Sequence, residues 1–285
     1  GRVLHVLLVG QHGRLGRGRG GDVGRDGEGD TLDGDEIVPP IVGPDRGNNA
    51  DNHAGGVITT SGAYAAGMEA VGNSNHLDNY ATITTIGADA PGMSATGDYN
   101  ELHNLGSGTI TTSGDGSAGL EVVGNGNTAR NYSDASITTS GANASGISGT
   151  GDDNTLDNNG AINTNGTNSF GVSGTGNTNT LSNSGGIDTG TGQNGHGMFV
   201  SGNDGTVTNT GTVTTGGQDA AGLAANGDTN ALDNTATGTI TTTGSGGDGL
   251  SVSGASNTVT NSGAVNTSGQ FADGVELSGN YNSAT

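Results

Sequence analysis

Apolar residues return at fixed intervals from Ile58 onward, and that spacing restricts the folds open to this chain more than any other feature. An Ile or Val opens each unit, at Ile58, Ile83, Ile110, Ile137, Ile162, Ile187, Val213, Ile240 and Val265, in steps of 25, 27, 27, 25, 25, 26, 27 and 25 residues. Ten residues later, or eleven in the sixth unit, a Gly precedes a second apolar residue, from Met68 through Val275. Nine further on comes a third position, from Leu77 through Ala284, and six or eight residues after it the next unit begins. The 9-residue step never varies, so length variation is confined to the other connections. Such regularity indicates a stack of equivalent units, each burying its edges against its neighbours.

Composition sets how such a stack can be filled. Of 285 residues, 60 are Gly, 28% are hydrophobic and 3% aromatic, too few for a conventional globular core. A Gly-, Ser- and Asn-rich chain could instead be disordered. The return of apolar residues in register every unit argues against that, because a solenoid needs only a thin apolar stripe per turn.

Each unit holds three short segments with period-2 alternation and none with helical periodicity. In the first, Ile58 and Thr60 share a face, and Thr occupies the same place in all nine units. In the second, the apolar residue is followed two on by an apolar or small one, such as Ala70, Val122 or Gly174. In the third, Leu77 lies between Asn75 and Asn79, a pattern that recurs along the chain. Gly flanks the second segment at two fixed places, Gly67 and Gly72 in the first unit, and Asn or Asp follows the latter Gly in eight units. Gly and Asn tolerate the positive φ that a sharp corner demands. The expected fold is therefore all-β: a single-stranded parallel β-helix of about nine coils of 25–27 residues, with three short strands per coil. At about 4.8 Å per coil the rod is roughly 40 Å long, and equivalent Thr and Asn side chains stack into ladders. Leucine-rich repeats are excluded by the missing L-x-x-L-x-L core, and left-handed hexapeptide helices by steps that are not multiples of six.

The expected organisation is a Gly/Arg/Asp-rich leader and linker over residues 1–54 and the β-helix over 55–285. Residues 1–30 use only Gly, Arg, Val, Leu, His, Gln, Asp and Glu, all encodable by codons that begin with G or C. Two readings stay open for this stretch: a mistranslated start in a GC-rich gene, or a genuine low-complexity leader. Val3–Val9 reads as the remnant of a signal h-region, and Ile37–Gly56, with Pro39, Pro40 and Pro44, as extended linker. Because the chain stops within a repeat, it is expected to be a fragment.

Charge narrows the partners. The formal net charge is −21, there is no Lys, and from residue 51 onward Arg130 is the lone Arg against twenty acids. Nucleic acid is excluded as a partner, since phosphate binding requires cations that replace counterions. Anionic membrane surfaces are disfavoured for the same reason. There is no Cys, and no apolar run approaches membrane-spanning length.

Units such as Gly108 to Asn131, GTITTSGDGSAGLEVVGNGNTARN, and Ile240 to Asn261, ITTTGSGGDGLSVSGASNTVTN, resemble the repeats of bacterial autotransporter passenger domains. The resemblance covers roughly residues 55–285. It implies a right-handed β-helix, exported by type V secretion through a C-terminal outer-membrane β-barrel and displayed at the cell surface or released. It further implies a stalk or adhesin role in cell adhesion or aggregation, with a surface receptor, a glycan or a second copy as partner.

Chemistry is hard to find in the repeats. Ser94 and Ser173 sit in near-miss nucleophile motifs that lack the full G-x-S-x-G. Asp78, Asp157 and Asp233 recur at one repeat position, which reads as a solvated column, and Arg130 stands alone. The alternative reading, a β-helical polysaccharide-active enzyme, would need clustered carboxylates on long loops. Gly246-Gly-Asp-Gly is an isolated partial match to calcium-binding nonapeptides, and Asp98, Asp152 and Asp153 read as turn acids with at most weak cation attraction. His76 precedes Leu77 and His103 follows Leu102, a placement read as no ligand set. Paired outward threonines, such as Thr82 with Thr84 and Thr109 with Thr111, suggest an ice-binding array as a third reading, interrupted at Ala161/Asn163 and Gly186/Asp188. The expectation is a non-enzymatic protein with no catalytic residue, cofactor or metal set.

Overall fold

The computed structural model describes residues 47–285 and the backbone of a strand at Leu7–Val9. The chain winds as a parallel β-solenoid of about nine turns, three strands per turn, and no helix occurs among the described residues. Three sheets run the length of the stack. We name them by their repeat residues: the Ile sheet, from Val57–Thr60 to Ala264–Thr267; the Gly sheet, from Leu7–Val9 and Met68–Val71 to Val275–Ser278; and the Asn sheet, from Asn49–Asn52 to Ser283–Ala284. Every described pairing is parallel and joins each residue to its repeat equivalent, for example Ile83 with Ile110, Met93 with Leu120 and Leu77 with Leu102.

The alternation read from the sequence decides what is inside. Ile83, Met93, Leu102, Ile137, Leu156 and their equivalents in the inner coils are buried and form one continuous apolar column along the axis, whereas Ile58 and Val265 in the end coils are partly covered and Val275 is exposed. Polar residues share that interior on regular terms. Asn79, Asn104, Asn131, Asn158, Asn183, Asn209 and Asn234 are completely buried or nearly so, and each Nδ2 donates to the Oδ1 of its equivalent one coil on at 2.8–2.9 Å. This ladder satisfies groups whose burial would otherwise be costly. The Thr two residues after the core Ile or Val, from Thr60 to Thr242, turns inward and closes the next corner: Thr112 Oγ1, for instance, donates to the Ser117 carbonyl at 2.6 Å.

The two conserved places for Gly in each unit have different causes, and only one is the positive φ expected from the sequence. The Gly after the second strand, such as Gly124 at φ 130°, lies in the region that L side chains avoid. The Gly before that strand is required by space: a Cβ on Gly119 would lie 2.3 Å from Ile137 Cγ2 and 2.6 Å from the Gly146 carbonyl oxygen. The Asn or Asp after the corner Gly is not the positive-φ residue either. That conformation falls one residue later, at Ser74, Tyr99 or Asp153. Its side chain instead accepts from the next coil, as Asn73 Oδ1 does from the Asp98 amide and Asp98 Oδ1 from the Asn125 amide, both at 2.8 Å.

The solenoid also begins earlier than residue 55. Asn49–Asn52 pairs in register with His76–Asn79, and Asn52 Nδ2 donates to Asn79 Oδ1 at 2.7 Å, so Asn48, Ala50 and Asn52 are the Asn-apolar-Asn segment of a preceding coil. This start was hidden because Ala50 is a weak apolar marker. Leu7–Val9, part of the stretch read as an h-region, pairs with Glu69–Val71 at the edge of the Gly sheet. Residues 1–6 and 10–46, with the rest of the leader and most of the linker, lie outside the described residues. Where the connection closing a coil has eight residues rather than six, the extra pair makes a tight turn, as in the Gly108 amide to Leu105 carbonyl bond of 2.9 Å.

Candidate functional site

The outward face of the Asn sheet is where repetition breaks down. Two columns of side chains point out from each strand, one before and one after the buried Leu or its equivalent. Thr dominates one column, at Thr128, Thr155, Thr180, Thr206 and Thr258, and Ser or Thr recurs in the other only from Ser182 onward, at Ser182, Thr208 and Thr260. Near the first coils the same positions hold His76 and Glu101 in the first column, and Asp51, Asp78, His103, Arg130 and Asp157 in the second.

Register then decides which of these meet. His76 stands opposite Glu101, and Asp78 opposite His103. His76 Nε2 lies 2.8 Å from Asp78 Oδ1, His103 Nδ1 lies 3.2 Å from the same oxygen, and His76 Nδ1 lies 2.9 Å from Glu101 Oε2. The two imidazoles meet edge to face with centroids 4.8 Å apart, and Tyr132 packs edge-on against the other side of His103. Among the described residues, His76, Asp78 and His103 form a set whose donor atoms are close enough to share one ion.

The two histidines, expected from their places on opposite sides of core residues to lie apart, are brought together. Lying before and after a core residue separates them along the strand but puts both on the same outward face, because side chains alternate with period two. The solvated-column reading fails as well for Asp78 and Asp157, whose side chains are 15% and 20% exposed. Asp157 accepts from Ser182 Oγ at 2.6 Å and lies 3.8 Å from Arg130 Nε, so Arg130 has a charged neighbour. Asp233, between Thr208 and Thr260, keeps its isolated position.

Electrostatics separate the two histidines. Burial works against a charge on His76, but the Asp78 and Glu101 carboxylates outweigh it and hold its pKa above the ordinary histidine value. His103 is pushed below that value, by burial first and by the charge of His76 second, against the pull of Asp78. A carboxylate faces each nitrogen of His76, an arrangement that favours the charged ring.

The other residues weighed from the sequence lie apart. Ser94 and Ser173 face outward on the Gly sheet, nearly covered by their neighbours, and Ser94 Oγ is 3.4 Å from Glu121 rather than near a histidine. Asp152 Oδ1 accepts the Asn177 amide at 2.7 Å as a rung of the corner ladder, and Asp248 Oδ1 accepts that of Asp273 at 2.8 Å. The outward threonines of the Ile sheet do align, with Thr109 Oγ1 3.3 Å from Thr82 Oγ1, but a shallow depression opens where Ala161 and Gly186 replace them. A second cluster gave no sequence signal: His196 stacks on Phe170 and leans on Phe199 outside the Gly sheet. Its Nδ1 accepts the Ala221 amide at 2.9 Å, and burial lowers its pKa to about 4.

No protein-family model, curated protein or solved structure matches the chain.

Proposed function

We propose that this chain is part of a surface-displayed β-solenoid stalk of the autotransporter passenger kind, serving adhesion or cell-cell aggregation rather than catalysis. The observation that supports this reading most is the unbroken register of three sheets from Val57 to Thr267, with the buried Asn ladder running along it. Such a rod is stiff, and it presents flat faces on which hydroxyl and amide side chains recur at about 4.8 Å. Periodic polar faces of this kind suit a glycan or a second copy of the same rod, where many weak contacts add by avidity. Export through a C-terminal outer-membrane barrel follows from the resemblance of the repeats.

The test is display of this solenoid on bacterial cells through a heterologous outer-membrane barrel, followed by sedimentation and binding to glycan-coated surfaces. Display should raise aggregation or adhesion above that of cells displaying the barrel alone, and deletion of whole coils should reduce it stepwise. Equal behaviour of the two strains would end the adhesin reading. The polysaccharide-active alternative draws support from one observation, the non-repeating acids and histidines on the Asn sheet. Release of reducing ends or unsaturated products from a polysaccharide panel would favour it, and no release would remove it.

A further inference from the structure

We propose that His76 Nε2, His103 Nδ1 and a carboxylate oxygen of Asp78 form a binding site for a first-row divalent transition-metal ion of the zinc class, pinned across two adjacent coils. Three observations converge on it. The first is the donor set: two imidazole nitrogens and one carboxylate oxygen suit zinc, copper or nickel better than the all-oxygen sites of calcium and magnesium. The second is distance. A tetrahedral ion with bonds of about 2.0–2.1 Å needs donor atoms about 3.3 Å apart. Asp78 Oδ1 is already 2.8 Å from His76 Nε2 and 3.2 Å from His103 Nδ1, so small side-chain rotations make room.

The third is the surrounding shell. Glu101 Oε2 holds His76 Nδ1 at 2.9 Å, the carboxylate contact that orients a metal-bound imidazole and raises its basicity. Tyr132 braces the His103 ring from the far side, and the Tyr80 hydroxyl lies 3.4 Å from Asp78 Oδ2. In the absence of an ion, His76 Nε2 lies 2.8 Å from Asp78 Oδ1. An ion entering between them leaves the Nδ1 contact with Glu101 intact. His76 remains about one-third exposed, so a coordination position faces solvent and is open to water or a donor from a partner.

The placement is local and unrepeated. At the His76 position the following coils carry Glu101, Thr128 and Thr155, and at the Asp78 position Arg130 and Asp157 follow His103. Nine coils offer equivalent positions, yet both histidines of the Asn-sheet columns fall in adjacent coils around one carboxylate. The net charge of −21 adds a long-range field that attracts cations.

The experiment is calorimetric titration of the untagged chain with ZnCl₂ in excess Mg²⁺, which occupies diffuse acidic sites, with hydrogen exchange followed by mass spectrometry. The expected result is one Zn²⁺ per chain, with slower exchange in His76–Asn79 and Glu101–Asn104 and none in Thr258–Asn261. His76→Ala and His103→Ala should abolish saturable binding, and Glu101→Gln should weaken it roughly tenfold through loss of the orienting contact. His196→Asn should bind as the parent does, and circular dichroism should show each variant folded. Absence of saturable binding to the parent chain, or binding that survives in a folded His76→Ala/His103→Ala double variant, would overturn the proposal.

Discussion

Replacing Asn158 with Ala tests the inference that the buried Asn ladder, and not the apolar column alone, holds the coils in register. Asn158 is fully buried; it accepts from Asn131 Nδ2 and donates to Asn183 Oδ1, both at 2.8 Å, and to the Gly160 carbonyl at 3.1 Å. After truncation, Asn131 Nδ2 keeps a contact with the Ala161 carbonyl at 3.2 Å, and the Gly160 carbonyl keeps the Gly186 amide at 2.9 Å. Asn183 Oδ1 loses its ladder donor in the interior. Stranding a buried acceptor costs about 1–3 kcal/mol, and the lost hydrogen bonds and the small void raise the expected total to roughly 2–4 kcal/mol. An exposed Thr111→Ala on the Ile sheet should stay within about 0.5 kcal/mol of the parent. Urea unfolding followed by far-UV circular dichroism measures both. Hydrogen exchange in Asn131 and Asn183 adds a local reading, since solenoids can open in sections. Asn158→Asp sharpens the test: a carboxylate has no donor to offer Asn183 Oδ1, and burial raises its pKa. The loss should therefore be greatest at neutral pH and shrink as pH falls through that raised value. If Asn158→Ala costs no more than Thr111→Ala, the ladder is a passenger of the fold and the reasoning fails.

Gly119→Ala should strongly destabilise the chain, because the nearest atoms to the new Cβ include the Gly146 backbone carbonyl, whereas Gly274→Ala, with nothing within 4 Å, should be tolerated. Thermal melting of the two variants side by side checks this, and equal melting temperatures would refute it. Thr112→Val keeps the side-chain shape but removes the 2.6 Å bond to the Ser117 carbonyl, for an expected loss of about 1–2 kcal/mol in urea unfolding. His196 is largely covered, with a pKa lowered to about 4, so it contributes its full share of stability above the unfolded value near 6.5 and loses it as pH falls toward 4. At about 1.4 kcal/mol for each pKa unit, the expected loss is roughly 2 kcal/mol by pH 5. His196→Asn, which can still accept the Ala221 amide, should lack that part of the slope between pH 7 and 5 in denaturant titrations.

The fold was legible because its requirements are periodic. Inward positions must be filled in the same way on every turn, so Ile83, Met93 and Leu102 repeat, and the constant 9-residue step reveals a corner of fixed geometry. The site was less legible because outward positions carry no such requirement. His76, Asp78 and His103 were each visible in the sequence, but their meeting depends on which residue of one coil lies opposite which of the next. The two columns of Gly show the same division. Both were evident as repeats, yet only packing distinguishes Gly119, excluded from bearing a Cβ by Ile137, from Gly124, which needs a positive φ.

The sequence by itself determined the all-β solenoid, its three strands per turn and the identity of the inward residues. Those properties follow from one-dimensional spacing, which burial of the apolar positions translates directly into structure. Tertiary structure alone decided the earlier start at Asn49–Asn52, the separate reasons for Gly, and the convergence of two histidines on Asp78. These depend on distances between residues about 25 positions apart in the chain, and only the stacking of strands about 4.8 Å from one another sets those distances.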